Sequence, residues 1–229
     1  MNDVLGRALY DYYNQNEQAE LWIHNLYGPK ELMPVDAYFR DEDDMPDLEW
    51  VALNECRGKV LDIGAGAGSH ALELQNRGFD VTALDISPLA VEVMQKRGVN
   101  DAIVDDIYQY NNQQYDTLLL LMNGIGLAGT IPTLKELLLH LKTMLAQGGQ
   151  LLFDSSDVAY IYEGKLPETG YHGEIKYQYE YKNQKTEWFN WLYVDEKTLT
   201  KIAAETGWDM EVLYEDEYGQ YLSRFTLNK

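Results

Sequence analysis

An apolar run, Val60-Leu61-Asp62-Ile63, ends in three alternating glycines, Gly64, Gly66 and Gly68; further on, a second run, Val81-Thr82-Ala83-Leu84, ends in Asp85. Short apolar runs closed by turn chemistry predict strands of a parallel sheet. The glycine turn with its following helix therefore predicts the first half of a nucleotide-binding α/β sheet. Glycines allow close approach because they carry no Cβ, so a ligand can lie flat against this turn. A dinucleotide fingerprint reads G-x-G-x-x-G, and here Ser69 stands where its third glycine would fall; the register argues against a nicotinamide or flavin dinucleotide. Asp85 closes the second run, where a carboxylate can accept both hydroxyls of a ribose. Ser87-Pro88 supply an N-cap and a first-turn proline for a helix ending near Gly98, which leaves Asp85 for a ligand.

The pattern Asp62-x-Gly64-x-Gly66-x-Gly68 with Asp85 resembles the class I S-adenosylmethionine-dependent methyltransferases. The resemblance continues through Ile103-Val104-Asp105-Asp106-Ile107, Tyr115-Asp116-Thr117-Leu118-Leu119-Leu120-Leu121-Met122-Asn123-Gly124 and Gly148-Gly149-Gln150-Leu151-Leu152-Phe153-Asp154. It covers residues 58–154 in the order in which the family carries these pieces. It implies an α/β fold: a Rossmann-like, seven-stranded, mostly parallel sheet with an antiparallel last strand and helices on both faces. It also implies S-adenosylmethionine as cofactor, with Asp62, Gly64, Ala65, Gly66 and Gly68 along the methionine part, Asp85 and Ile86 at the ribose, and Asn123 above the fourth strand. Asp105 and Asp106 are adjacent, so their side chains diverge; Asp106, followed by Ile107, is expected to face the adenine. The activity implied is methyl transfer to an acceptor that the sequence does not identify. A noncatalytic S-adenosylmethionine-binding module is the alternative, and turnover separates the two.

Residues 1–55 are expected to form an N-terminal helical cap on a methyltransferase domain of residues 56–229. Residues 5–13 and 20–26 have helical character, and Met33 to Arg40 holds a proline break and an aromatic-basic cluster. Such a cap would serve as a lid that excludes water, with Tyr38 and Arg40 reaching the methionine carboxylate; the alternative for Arg40 is pairing with the acidic run beside it. After Asp154, strict alternation over residues 174–182, a turn at Asn183-Gln184 and an aromatic return predict a hairpin insertion over residues 170–194. Asp195 is expected to cap a helix over residues 196–206, followed by a final antiparallel pair around Gly219.

Methyl transfer from an activated donor requires alignment more than chemistry from the protein. An oxygen or carbon acceptor would need a base, and Asn123, Asp154, Tyr160 and His172 are the candidates near the ends of the fourth and fifth strands. Four scattered histidines offer no metal site. The net charge of -20 repels polyanions, so the expected partner is a small-molecule substrate rather than nucleic acid or an anionic membrane; oligomeric state is left open. The opening residues lack the basic end and apolar core of a signal peptide. The single Cys56 allows no internal disulfide, and cytoplasmic localisation is expected.

Overall fold

The computed structural model describes residues 3–15 and 20–228. Met1, Asn2 and residues 16–19 of the expected cap lie outside the described residues. The chain runs α1 (Val4–Gln15), β1 (Leu21–Asn25), β2 (Glu31–Met33), a 3-10 turn (Val35–Phe39), α2 (Asp47–Glu55), β3 (Lys59–Ile63) and α3 (Ser69–Asn76). It continues through β4 (Asp80–Asp85), α4 (Pro88–Arg97), β5 (Ala102–Val104), β6 (Tyr115–Leu120), a 3-10 turn (Gly124–Ala128), α5 (Ile131–Thr143) and β7 (Leu145–Ser156). Then follow β8 (Glu174–Tyr181), β9 (Gln184–Lys185), β10 (Phe189–Leu192), α6 (Glu196–Glu205), β11 (Trp208–Glu215) and β12 (Gln220–Leu227).

The larger sheet has the strand order β11-β12-β7-β6-β3-β4-β5. Strands β6 and β7, and likewise β4 and β5, pair in parallel, whereas β12 is antiparallel to both β7 and β11. This is the seven-stranded, mostly parallel sheet that the glycine turn and its relatives imply. A second sheet has the order β10-β8-β1-β2, with β9 paired to β8.

Two compact units divide the chain. The first comprises Met1–Met45, Leu61–Tyr110 and Lys176–Phe189. Its N-terminal core joins Val4, Ala8 and Leu9 of α1 to Leu21, Val35, Ala90 and Tyr181, all buried. Within it the helix expected over residues 20–26 is instead a strand, Leu21–Asn25: β1 pairs antiparallel with β2 and with β8, Trp22 opposite Glu180 and Asn25 opposite Tyr177. A run of five residues between breakers suits either state, and pairing with a partner far away in sequence decides for the strand. The expected hairpin forms one residue earlier than read. Lys182 and Asn183, with φ of 46° and 63°, are the two central residues of its turn, and Tyr181 faces Gln184. Two consecutive positive φ values give the twist that suits a two-residue hairpin loop.

The second unit comprises Pro46–Val60, Asn111–Ile175 and Asn190–Lys229. Leu118, Leu119 and Leu120 of β6 and Leu151, Leu152 and Phe153 of β7 are completely buried, as a strand covered on both faces requires. Phe153 meets the Phe225 ring edge-on at 5.0 Å, and Trp208 lies 5.8 Å from the same ring. Asp195 caps α6 by accepting from Thr198 N at 2.9 Å, as expected from sequence.

Candidate active site

In the first unit, β3 delivers the chain into the glycine turn, where Gly64, Gly66 and Gly68 have φ of 71°, 57° and 82°. All three alternating positions are left-handed, which explains their residue type. The turn is pinned to β4: Gly64 N and Ala65 N donate to Leu84 O at 2.8 and 3.1 Å. A Cβ on Gly64 would meet open space, so a ligand can approach the backbone there. A Cβ on Gly66 would instead come within 3.0 Å of Tyr38 Cδ1, so the Tyr38 ring lies across the turn. Ser69 Oγ donates to Tyr38 O at 2.9 Å. Arg40 is half-buried and closes the same 3-10 turn that carries Tyr38.

Asp62 is 2 % exposed, and its Oδ2 has no hydrogen-bond partner among the described residues. Burial raises its carboxyl from 3.8 to about 6; His70 opposes the rise and the negative charge of Asp85 adds to it. Asp85 is less free than the sequence suggests. Its Oδ2 accepts from Gly66 N and its Oδ1 from Ser87 N, each at 2.9 Å, while the Ser87 side chain caps α4 by accepting from Ala90 N at 2.9 Å. Asp85 thus ties the glycine turn to the start of α4. Burial pushes this carboxyl up as well.

Beside it, Asp105 N donates to Asp85 O at 3.2 Å, which brings the end of β5 against the end of β4. Asp106 starts the next turn, its Oδ1 accepting from Tyr108 N at 3.0 Å, and Ile107 is buried while Ile86 is exposed. Arg97 is a member of this group that sequence reasoning missed. Its Nη1 donates to Ala67 O at 2.7 Å and to Ser69 Oγ at 3.1 Å, and its guanidinium lies 5.1 Å from the Phe39 ring centre. A basic residue in the last turn of a helix ordinarily reads as a dipole partner, and only the fold brings it under the glycine turn.

In the second unit, β6 is followed by a turn at Met122 and Asn123, non-glycine residues with φ of 58° and 55°. Asn123 N donates to both oxygens of Asp154, at 2.9 and 2.8 Å, and Gln220 Nε2 donates to Asp154 Oδ2 at 3.0 Å. Asp154 is 1 % exposed, and burial raises its carboxyl to about 6 against these hydrogen bonds. The carboxylate therefore holds a left-handed turn in place. Asn123 Nδ2 donates to Leu192 O at 3.2 Å, while its buried Oδ1 has no partner among the described residues. A Cβ on Gly126 would overlap the Trp191 indole, so that ring lies on the 3-10 turn after β6. His172 Nε2 lies 3.0 Å from Asp157 Oδ1, and Tyr160 is 75 % exposed. Gln220 is the residue missed here; nothing local in a final strand signals a bond to β7.

A sequence profile described as a methyltransferase domain matches residues 40–213. The chain is similar to the crystal structure of an S-adenosylmethionine-dependent methyltransferase from Bacteroides fragilis in complex with S-adenosyl-L-homocysteine. Identity is 37%, the TM-score is 0.92, and the match covers 99% of this chain and 95% of the other. A probable cobalt-precorrin-6B C(15)-methyltransferase (decarboxylating) of Thermoplasma acidophilum is 20% identical over 176 residues, 68% of this chain and 82% of that protein. An S-adenosylmethionine-dependent methyltransferase from Clostridium acetobutylicum shares the fold at a TM-score of 0.62 and 14% identity, over 82% of this chain and 94% of that one.

Proposed function

The chain belongs to the methyltransferase-domain family, and from that premise we propose that residues 62–107 hold the cofactor and that the acceptor is a small molecule. S-adenosylmethionine is the methyl donor of this enzyme. When bound, it supplies a methyl group already activated by a sulfonium.

The observation that carries the cofactor reading is the buried Asp62 Oδ2 with no partner among the described residues. A dry carboxylate oxygen calls for a donor, and the ammonium of the methionine part is a charged one. Gly64 leaves open backbone for that part to lie against, with Gly66 beside it under the Tyr38 ring. Asp85 takes the ribose hydroxyls with the lone pairs not used by Gly66 N and Ser87 N. Ile86 lies beside the ribose, Asp106 and Ile107 flank the adenine, and Ala65 and Gly68 complete the turn. Tyr38 and Arg40 belong to a lid formed by residues 1–55, which keeps water from the reacting atoms.

The net charge of -20 supports a neutral or cationic small acceptor over a polyanion. Asn123 offers its partnerless Oδ1 to a donor on the acceptor. Where the acceptor keeps its proton at neutral pH, His172 is the base, with Asp157 fixing its ring. Asp154 is engaged by Asn123 and Gln220 and acts by positioning. Among the described residues no helix is long and apolar enough to cross a membrane; with Cys56 as the one cysteine, a reducing, cytoplasmic setting is the one we propose.

Incubation with methyl-labelled cofactor and pools of amines, phenols and carboxylic acids tests the acceptor class. Label is expected in the small-molecule fraction. With a hydroxyl acceptor, His172→Ala is expected to lower kcat by about 100-fold. Label found only on macromolecules would overturn the small-molecule reading.

A further inference from the structure

Asp3 precedes α1 and makes an unusual set of bonds for a residue near a chain end. Its Oδ1 accepts from Gly6 N at 2.9 Å, and its Oδ2 accepts from Ser87 Oγ at 2.7 Å and from Leu89 N at 3.4 Å. The contact depends on Gly6, because a Cβ there would overlap both Ser87 Oγ and the Asp3 carboxylate. Further along, α1 is held to α4 by Tyr13 Oη donating to Lys96 O at 3.1 Å. Lys96 Nζ donates to Asn14 Oδ1 at 3.1 Å and lies 4.4 Å from the Tyr10 ring centre. Ala90 of α4 shares the buried core with Val4, Ala8 and Leu9. The first turn of α1 is therefore seated on the start of α4.

Ser87 sits at the junction. Its side chain caps α4 and donates to Asp3, and its backbone N–H donates to Asp85 Oδ1. The other oxygen of Asp85 accepts from Gly66 N. A continuous path of hydrogen bonds thus runs from Asp3 through Ser87 and Asp85 to the glycine turn. We propose that Asp3, admitted by Gly6, is a positioning residue for the cofactor: it fixes Ser87, and through Ser87 the rotamer and height of the Asp85 carboxylate. The proposal rests on the reading that Asp85 receives the ribose hydroxyls. It ties the N-terminal helix to cofactor affinity through Ser87 and Asp85.

Charge gives a readout beyond simple folding. The negative groups facing Asp85 are Asp3, just before α1, and Asp62 of β3, with His70 of α3 acting on Asp62. Asp3 and burial both favour the protonated form of Asp85, while accepting from two ribose hydroxyls requires the carboxylate. Affinity therefore declines as pH falls through the titration of Asp85, and removing the charge of Asp3 moves that decline to lower pH.

The experiment is calorimetric titration with S-adenosylhomocysteine from about pH 5 to about pH 8 for the native chain, Asp3→Ala, Asp3→Asn and Asp85→Ala. Asp3→Ala is expected to bind about tenfold more weakly at neutral pH. Asp3→Asn is expected to shift the acid limb of the affinity profile to lower pH, which a change in folding alone would not do. If Asp85→Ala loses binding while both Asp3 variants match the native chain at every pH, the Asp3 proposal is overturned. If Asp85→Ala keeps native affinity, the ribose reading itself fails.

Discussion

Asp62 and Asp154 are carboxylates kept almost dry, each with a carboxyl raised to about 6, chiefly by burial. The unfolded chain titrates these groups near 3.8, so between that value and about 6 the native state holds the proton better. Each contribution is most favourable at low pH and is lost as pH rises through this window; above it, charge burial costs about 3 kcal/mol per group. For Asp62 the buried Oδ2 has no hydrogen-bond partner among the described residues, and His70 and the Ala71 N–H offset its burial only in part. Asp62→Asn should therefore be more stable than the native chain at neutral pH by about 2 kcal/mol, with the gap closing toward pH 4. The same variant should bind S-adenosylhomocysteine poorly. Urea titrations at several pH values measure the gap, and a gap independent of pH would contradict the assignment. Asp154 differs because its oxygens are engaged. Asp154→Ala should lower stability by about 2 kcal/mol, since Asn123 N is left without its charged acceptor in a left-handed turn.

The glycine turn is the element on which the proposed cofactor site depends, and Gly66 is where the Tyr38 ring crowds it. Gly66→Ala puts a side chain at φ of 57° and within 3.0 Å of Tyr38 Cδ1. The backbone term costs about 1 kcal/mol, and the steric term depends on the Tyr38 ring. The double variant with Tyr38→Ala should recover part of the affinity lost by Gly66→Ala. Strict additivity in that cycle would show that the ring does not lie across the turn. This element was legible in the sequence because its signals are local: alternating glycines after a strand, an acidic strand end, and Ser87-Pro88 at a helix start. The Asp195 cap and the final strand pair were legible for the same reason. The strand Leu21–Asn25 was not, because five residues carry no decisive period and the partner strand β8 lies far along the chain. The bonds from Asn123 and Gln220 to Asp154, and the place of Arg97 beneath Ala67, were also hidden. Such contacts arise only when separate elements converge, and side-chain type alone does not specify them.

At the scale of the whole molecule, 38 acidic against 18 basic residues give the chain a large self-repulsion. Screening relieves it, since the Debye length falls from about 30 Å at 0.01 M salt to about 8 Å at 0.15 M. The melting temperature should rise by a few degrees over that range. The protein should pass through immobilised duplex DNA without retention at low salt, where any electrostatic affinity would be strongest; salt-sensitive retention there would reveal a basic patch. The methyltransferase-domain match covers residues 40–213, while the acceptor site proposed above lies around Asn123, His172 and Trp191. The most direct test of the account is titration of the native chain and of Asp85→Ala with S-adenosylhomocysteine, with NAD as control. One-site binding to the native chain, weakening of about tenfold or more in the variant, and no heat with NAD are expected. Equal binding by the variant, or NAD binding at the same site, would contradict it.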